Sequence, residues 1–151
     1  MPIPITGTPA PLFSGTDQQG NTVSLSGLKG KKVVLYFYPK DDTPGCTAEA
    51  CDLRDNYTRL LEKGYQVVGV SPDSGKSHQK FAEKHHLPFP LLPDPERQII
   101  EAYGVWGPKK FMGKSYEGVL RTTFIISEEG IIEEVITKVD TKDHTSQIIG
   151  H

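Results

Sequence analysis

Two cysteines are too few to staple a small secreted scaffold, and a chain in a reducing compartment seldom keeps a structural disulfide. Long apolar runs are missing as well. The longest unbroken one, Val33 to Tyr38, is far too short to span a bilayer. The opening segment, MPIPITGTPAPLF, carries neither the basic stretch nor the apolar core of a secretion signal, so a cytoplasmic location without membrane association is expected. Charge of one sign is also scarce. The formal net charge is −2 and the Lys and Arg residues are scattered, so no nucleic-acid partner is expected. Lys31-Lys32 and Lys109-Lys110 read as solvated loop ends. There is no repeat, low-complexity tract or linker. What is present is 151 residues, 36% hydrophobic and 24% charged, enough for one domain over residues 1–151 with its own core.

Apolar periodicity predicts an α/β chain. Leu12 to Leu25 reads as a hairpin turning at Asp17-Gln18-Gln19-Gly20-Asn21. Lys32 to Tyr38 reads as a central buried strand stopped by Pro39. A single helix is predicted from Thr43 to Lys63, with Thr43 as N-cap, Pro44 in the first turn and Gly64 at its end. Its apolar stripe is Cys46, Ala50, Leu53, Tyr57, Leu60 and Leu61. Gln66 to Ser71 is a second strand and Ser77 to His86 a helix with Phe81 and Ala82 inward. A brief strand at Leu91-Leu92, a helix over Pro95–Tyr103 and a hairpin of Arg121–Ser127 with Ile131–Val139 follow. Trp106 and Tyr116 are expected in a loop, and the last helix, Asp143 to His151, makes barely two turns. This order suits a thioredoxin-like fold: a central mixed sheet flanked by helices, with parallel strands in the crossover and an antiparallel terminal pair.

The chemistry concentrates between Pro39 and Cys51, in Pro-Lys-Asp-Asp-Thr-Pro-Gly-Cys-Thr-Ala-Glu-Ala-Cys. Cys46 falls in the first helical turn, where unpaired N–H groups and the helix dipole favour a thiolate, the nucleophilic form. The plainer alternative is a small buried residue on the apolar stripe. Cys51 lies five residues on. In a regular helix such a pair sits ~8.6 Å apart and about 140° around the axis, whereas a disulfide needs Cα atoms within roughly 7 Å. If the two cysteines pair, the first turns must unwind. A zinc site would need further ligands. His85 and His86 point to different sides of their helix and His78 is expected among solvated residues, so no metal is expected.

This stretch resembles the peroxiredoxins, whose Pro-x-x-x-Thr-x-x-Cys signature is met by Pro39, Thr43 and Cys46. TPGCTAEAC is similar, more narrowly, to the bacterioferritin comigratory protein (peroxiredoxin Q) subfamily. Phe89-Pro-Leu-Leu-Pro-Asp94, Tyr103-Gly-Val-Trp-Gly107, Phe111-Met-Gly-Lys114 and Arg121-Thr-Thr-Phe124 extend the likeness in order and spacing over roughly Pro9 to Val139. The resemblance implies a peroxidase acting on hydroperoxides, without cofactor. Cys46 would be the attacking thiolate, passing to a sulfenic acid. Thr43 would hydrogen-bond thiolate and peroxide, and Pro39 would shield the thiolate from water. Arg121 would favour the thiolate and polarise the peroxide with its forked, fixed charge. Glu49, otherwise an ordinary first-turn carboxylate, would orient Arg121. Cys51 would condense with the sulfenic acid inside one chain, implying a monomer, and a thioredoxin-type dithiol would reduce the disulfide.

Two other functions use the same residues. A thiol–disulfide exchange protein would ordinarily carry C-x-x-C, where this chain has C-x-x-x-x-C. A redox sensor would use oxidation only to switch a surface by unwinding the helix.

Overall fold

The computed structural model describes residues 3–150. A two-stranded antiparallel hairpin, β1 (Ser14–Thr16) and β2 (Thr22–Ser24), opens the chain as expected. The Asp17 carboxylate holds its turn, accepting from the amides of Gln19 and Asn21 at 2.9 Å. The next elements are β3 (Lys32–Phe37), α1 (Pro44–Asp55), α2 (Tyr57–Glu62), β4 (Tyr65–Ser71), α3 (Gly75–His85), β5 (Leu91–Pro93) and α4 (Gln98–Ala102). Then come β6 (Trp106–Phe111), β7 (Lys114–Val119), β8 (Thr122–Ile126), β9 (Ile132–Ile136) and α5 (His144–Ile149). No helix among the described residues is long and apolar enough to cross a membrane.

The central sheet runs β5-β4-β3-β8-β9, with β3, β4 and β5 parallel and β8 antiparallel to both of its neighbours, β3 and β9. Both faces of β3 are covered, which is why its sequence is a continuous apolar run rather than an alternation. Val33, Leu35 and Phe37 enter one core with Phe13, Ile100, Tyr103 and Phe124. Val34, Tyr36 and Tyr38 enter the other with Cys46, Ala50, Leu53, Leu60 and Phe81. The period of two in the strand thus sets Cys46 against the face that carries Tyr36 and Tyr38.

Four expectations need correction. The helix predicted from Thr43 to Lys63 is two helices, broken at Asn56 (φ −110°, ψ 11°). The Asn56 side-chain amide donates to the Asp52 carbonyl at 2.8 Å and competes with the backbone for the same acceptor. The helix over Pro95–Tyr103 shrinks to α4, because Arg97 is left-handed (φ 61°) and the Asp94 carboxylate accepts the Ile100 amide at 2.8 Å. Trp106 and Tyr116 lie on a β-hairpin, not in a loop. Met112 (φ 52°) and Gly113 (φ 79°) supply the two left-handed residues of its tight turn. The last helix is also shorter than Asp143–His151; His151 lies outside the described residues.

Candidate active site

β3 delivers the chain to the loop 39–43, and buried polar groups fix that loop. Asp41 accepts the Tyr38 hydroxyl at 2.6 Å, the Ser77 hydroxyl at 2.7 Å and His78 Nδ1 at 2.7 Å. The Asp41 amide donates to Asp73 Oδ2 at 2.8 Å. His78, expected among solvated residues, is buried. No local pattern signals this, because its partner lies 37 residues away. Ligand atoms of Asp41, Asp73 and His78 lie within 4.8 Å of one another. Asp73 Oδ2 also accepts the Ser71 hydroxyl at 2.7 Å, and the buried His78 Nε2 has no hydrogen-bond partner among the described residues. Neither cysteine belongs to this group.

Thr43 is extended (φ −99°, ψ 156°), so α1 starts after it, but its side chain does not cap the helix. The hydroxyl donates instead to the Lys40 carbonyl at 2.9 Å. The first amide bonded back into the helix is that of Thr47, to Thr43 O at 2.8 Å. The amides of Gly45 and Cys46 therefore carry no hydrogen bond among the described residues. They stay available at the positive end of the helix dipole, beside the buried Cys46 thiol. Pro39 is half-buried directly after Tyr38, whose amide makes the last bond to Val70 O at 3.1 Å.

Arg121 enters from the residue before β8. Its Nη2 donates to Cys46 Sγ at 3.2 Å and its Nη1 to Glu49 Oε1 at 2.8 Å. Gly45 leaves room for this approach, since a Cβ there would stand 3.2 Å from Nη2, a tight contact that would press the guanidinium back slightly. Glu49 is fully buried on the inner face of α1, one turn beyond Cys46. Burial pushes its carboxyl up to about 7, against the pull of Arg121. For Arg121 itself, burial disfavours the charge, but Cys46 and Glu49 outweigh it and hold the guanidinium more firmly protonated.

A second layer, which no sequence pattern announced, backs this line. Gln147 Nε2 donates to the Lys138 carbonyl at 2.8 Å, which turns its Oε1 to His144 Nδ1 at 2.8 Å. Nδ1 therefore carries the proton, and Nε2 accepts the Thr123 hydroxyl at 2.7 Å. Burial also lowers the His144 pKa, so the imidazole is neutral. Its Nε2 stands 3.5 Å from Glu49 Oε2, a contact with no ion-pair character, and Oε2 has no hydrogen bond among the described residues. The Tyr36 hydroxyl is likewise buried and has no partner among the described residues. Lys109, expected as a solvated loop end, donates to the Val119 carbonyl at 2.9 Å. Burial and the Arg121 charge lower its pKa, while Cys46 acts the other way.

Cys46, Glu49 and Arg121 are thus brought together by hydrogen bonds, whereas Thr43 is turned to Lys40 and Cys51 stands apart. Both cysteines are free. Cys51 is half-buried on α1 facing α3, where its Sγ lies 3.9 Å from His85 Nδ1. The site holds a buried thiol, two free amides and a clamped guanidinium. That combination can bind a small polar oxidant and stabilise negative charge developing beside sulfur.

The AhpC/TSA family model matches residues 6–135. Peroxiredoxin Bcp of Bacillus subtilis (strain 168) is 50% identical over 143 residues, covering 95% of this chain and 91% of that protein. Peroxiredoxin Bcp of Escherichia coli (strain K12) is 46% identical over 143 residues, 95% of this chain and 92% of its own. Among solved structures, the Xanthomonas campestris bacterioferritin comigratory protein, studied for alkyl peroxide reduction, superposes with TM-score 0.85 at 33% identity. It covers 91% of this chain and 88% of that one. A cysteine-to-serine mutant of Xylella fastidiosa PrxQ superposes with TM-score 0.87 at 29% identity, over 99% and 95% of the two chains.

Proposed function

The chain belongs to the AhpC/TSA family, and from that premise we propose that it is a thiol-dependent peroxidase in which Cys46 attacks hydroperoxides and Cys51 resolves the product. Hydrogen peroxide and organic hydroperoxides are the substrates. The Cys46 thiolate attacks one peroxide oxygen, the O–O bond breaks, and the departing alkoxide or hydroxide takes a proton to leave as alcohol or water. Cys46 becomes a sulfenic acid. Arg121 stabilises the thiolate and the charge moving onto the leaving oxygen, with Glu49 orienting its fork. Because the Thr43 hydroxyl donates to Lys40, its oxygen lone pairs remain to accept the peroxide O–H. Pro39 covers the thiolate from the strand end.

Cys51 then condenses with the sulfenic acid to a Cys46–Cys51 disulfide and water, and a thioredoxin-type dithiol reduces it by exchange. The bond closes within one chain and needs no second subunit, so the working unit is a monomer. A reducing cytosol supplies such dithiols. The observation that carries this reading is Arg121 held between Cys46 Sγ at 3.2 Å and Glu49 at 2.8 Å, a cation placed on a buried sulfur.

Peroxide consumption with a thioredoxin system, for the parent and Cys46→Ser, is the test. Turnover by the parent, none by the variant and a loss of two hydrogens in the peroxide-treated monomer support the proposal. Undiminished turnover by Cys46→Ser would refute it. Insulin reduction without peroxide turnover would make the protein an exchange catalyst, and a single slow oxidation a sensor.

A further inference from the structure

Resting on Cys51 as the resolving thiol, we propose that His85 is the general base that deprotonates Cys51, with Asp42 setting its tautomer. The thiolate, not the thiol, attacks sulfenic sulfur. A base that takes the thiol proton therefore speeds this attack, and Cys51 sits on α1 well beyond its first turn. What its sulfur does meet is His85 Nδ1 at 3.9 Å.

The other ring nitrogen decides what Nδ1 can do. His85 Nε2 stands 3.4 Å from Asp42 Oδ1. A carboxylate can only accept there, so Nε2 carries the proton and the Nδ1 lone pair faces Cys51. Asp42 is kept ionised: hydrogen bonds from Lys84, at 2.9 and 3.1 Å, and from His85 lower its pKa. The order carboxylate, imidazole and thiol is that of a nucleophile activated by an oriented base.

Packing keeps the base in place while the sulfur moves. Phe81 lies edge-on to the His85 ring with centroids 5.2 Å apart. Arg54 donates to the His85 carbonyl at 2.7 Å and ties the end of α3 to α1 beyond the cysteine pair. His85 is partly exposed, with 19% of its side chain reaching solvent, so the proton it takes can pass on.

The step balances. Nδ1 takes the Cys51 proton, giving an imidazolium paired with Asp42. The Cys51 sulfur attacks the Cys46 sulfur, the S–S bond forms and the S–O bond breaks. Cys51 sulfur is oxidised, Cys46 sulfur is reduced, and the departing hydroxide takes up one proton to leave as water. The imidazolium gives its proton to that hydroxide or to solvent.

The test separates the two chemical phases. Reduced protein is mixed with one equivalent of hydrogen peroxide, quenched rapidly and weighed, so that Cys46 sulfenic acid (one added oxygen) and disulfide (two hydrogens lost) are timed independently. For His85→Ala, disulfide closure is expected to slow roughly 10- to 30-fold while sulfenic acid still forms. Added imidazole should restore closure in a concentration-dependent way, and His85→Asn, which can hydrogen-bond but not titrate, should stay slow. Closure at the parent rate in His85→Ala overturns the proposal. So does recovery in His85→Asn without any imidazole effect, since that would make His85 a packing residue. A parent protein that forms sulfenic acid but never the Cys46–Cys51 disulfide would instead refute Cys51 as resolving thiol, and His85 with it.

Discussion

Arg121 Nη2 reaches Cys46 Sγ at 3.2 Å across 75 residues of chain, and Nη1 of the same guanidinium is anchored on buried Glu49. One fork thus couples the sulfur to a fixed carboxylate. Arg121→Lys keeps a positive charge but gathers its donors on one nitrogen, without the planar fork whose two nitrogens span Glu49 and Cys46. The second-order rate of Cys46 oxidation is expected to fall by more than about tenfold, or about 1.4 kcal/mol of barrier. Stopped-flow oxidation by hydrogen peroxide measures it, and an unchanged rate would detach Arg121 from the chemistry.

Glu49 gives a pH-dependent stability with a definite sign. Burial raises its carboxyl from an ordinary 4.5 to about 7. The folded state therefore holds the proton more tightly than the unfolded one. The resulting stability is fully present below pH 4.5 and is lost as pH rises through about 7. Glu49→Gln cannot titrate. Relative to this variant, the parent should lose on the order of 2–3 kcal/mol between pH 5 and 8. Urea unfolding of both proteins across that range provides the comparison; a constant difference would place Glu49 at its ordinary acidity.

The sheet was legible because β3 and β4 write their burial directly as apolar runs, and the first turn of α1 because Thr-Pro-Gly is local chemistry. The site was legible only in part. Cys46 could be placed at a helix start from its neighbours, but bringing Arg121 to it required the resemblance, since no local pattern reports a contact 75 residues long. His144, Thr123 and the Asp41–His78 pair escaped for the same reason. Their burial depends on partners supplied by distant elements, and a lone histidine between lysines and serines reads as solvated. The break at Asn56 was readable in principle, because Asn competes for helix carbonyls, yet the stripe through Tyr57 and Leu60 continues across it. The β6–β7 hairpin was hidden by its exposed, lysine-rich strands, although Met112-Gly113 marks the turn.

Cys51→Ser should separate attack from resolution. Cys46 and Arg121 remain in place, so one equivalent of peroxide should still give the sulfenic acid. Recycling by thioredoxin should collapse, because no intramolecular disulfide can form. With condensation gone, further peroxide should carry Cys46 to sulfinic acid more readily than in the parent. Intact-mass measurement against peroxide dose follows both species. Thioredoxin-dependent turnover at the parent rate would assign resolution to another thiol.

Closing the disulfide must dismantle part of α1, and the contacts of that helix say what else gives way. A helical i, i+5 pair stands ~8.6 Å apart, beyond the roughly 7 Å a disulfide tolerates. Unwinding between Cys46 and Cys51 withdraws Cys46 and Ala50 from the core they share with Tyr36 and Leu53. It also disturbs Asp52, the next residue, whose Oδ2 accepts both the amide and the hydroxyl of Thr145 at 2.8 Å at the start of α5. Helix α2 is separated from this event by the break at Asn56 and should be insulated from it. Amide hydrogen exchange on reduced and oxidised protein is expected to show faster exchange over the N-terminal part of α1 and, to a smaller degree, over α5. The amides of α2, β3 and β4 should stay as protected as before, because helix ends open at low cost whereas the central strands approach global stability. Equal protection of α1 in both states, in a sample whose mass proves the Cys46–Cys51 bond, would contradict the coupling. Loss of protection reaching α2 would show that the break at Asn56 does not insulate it.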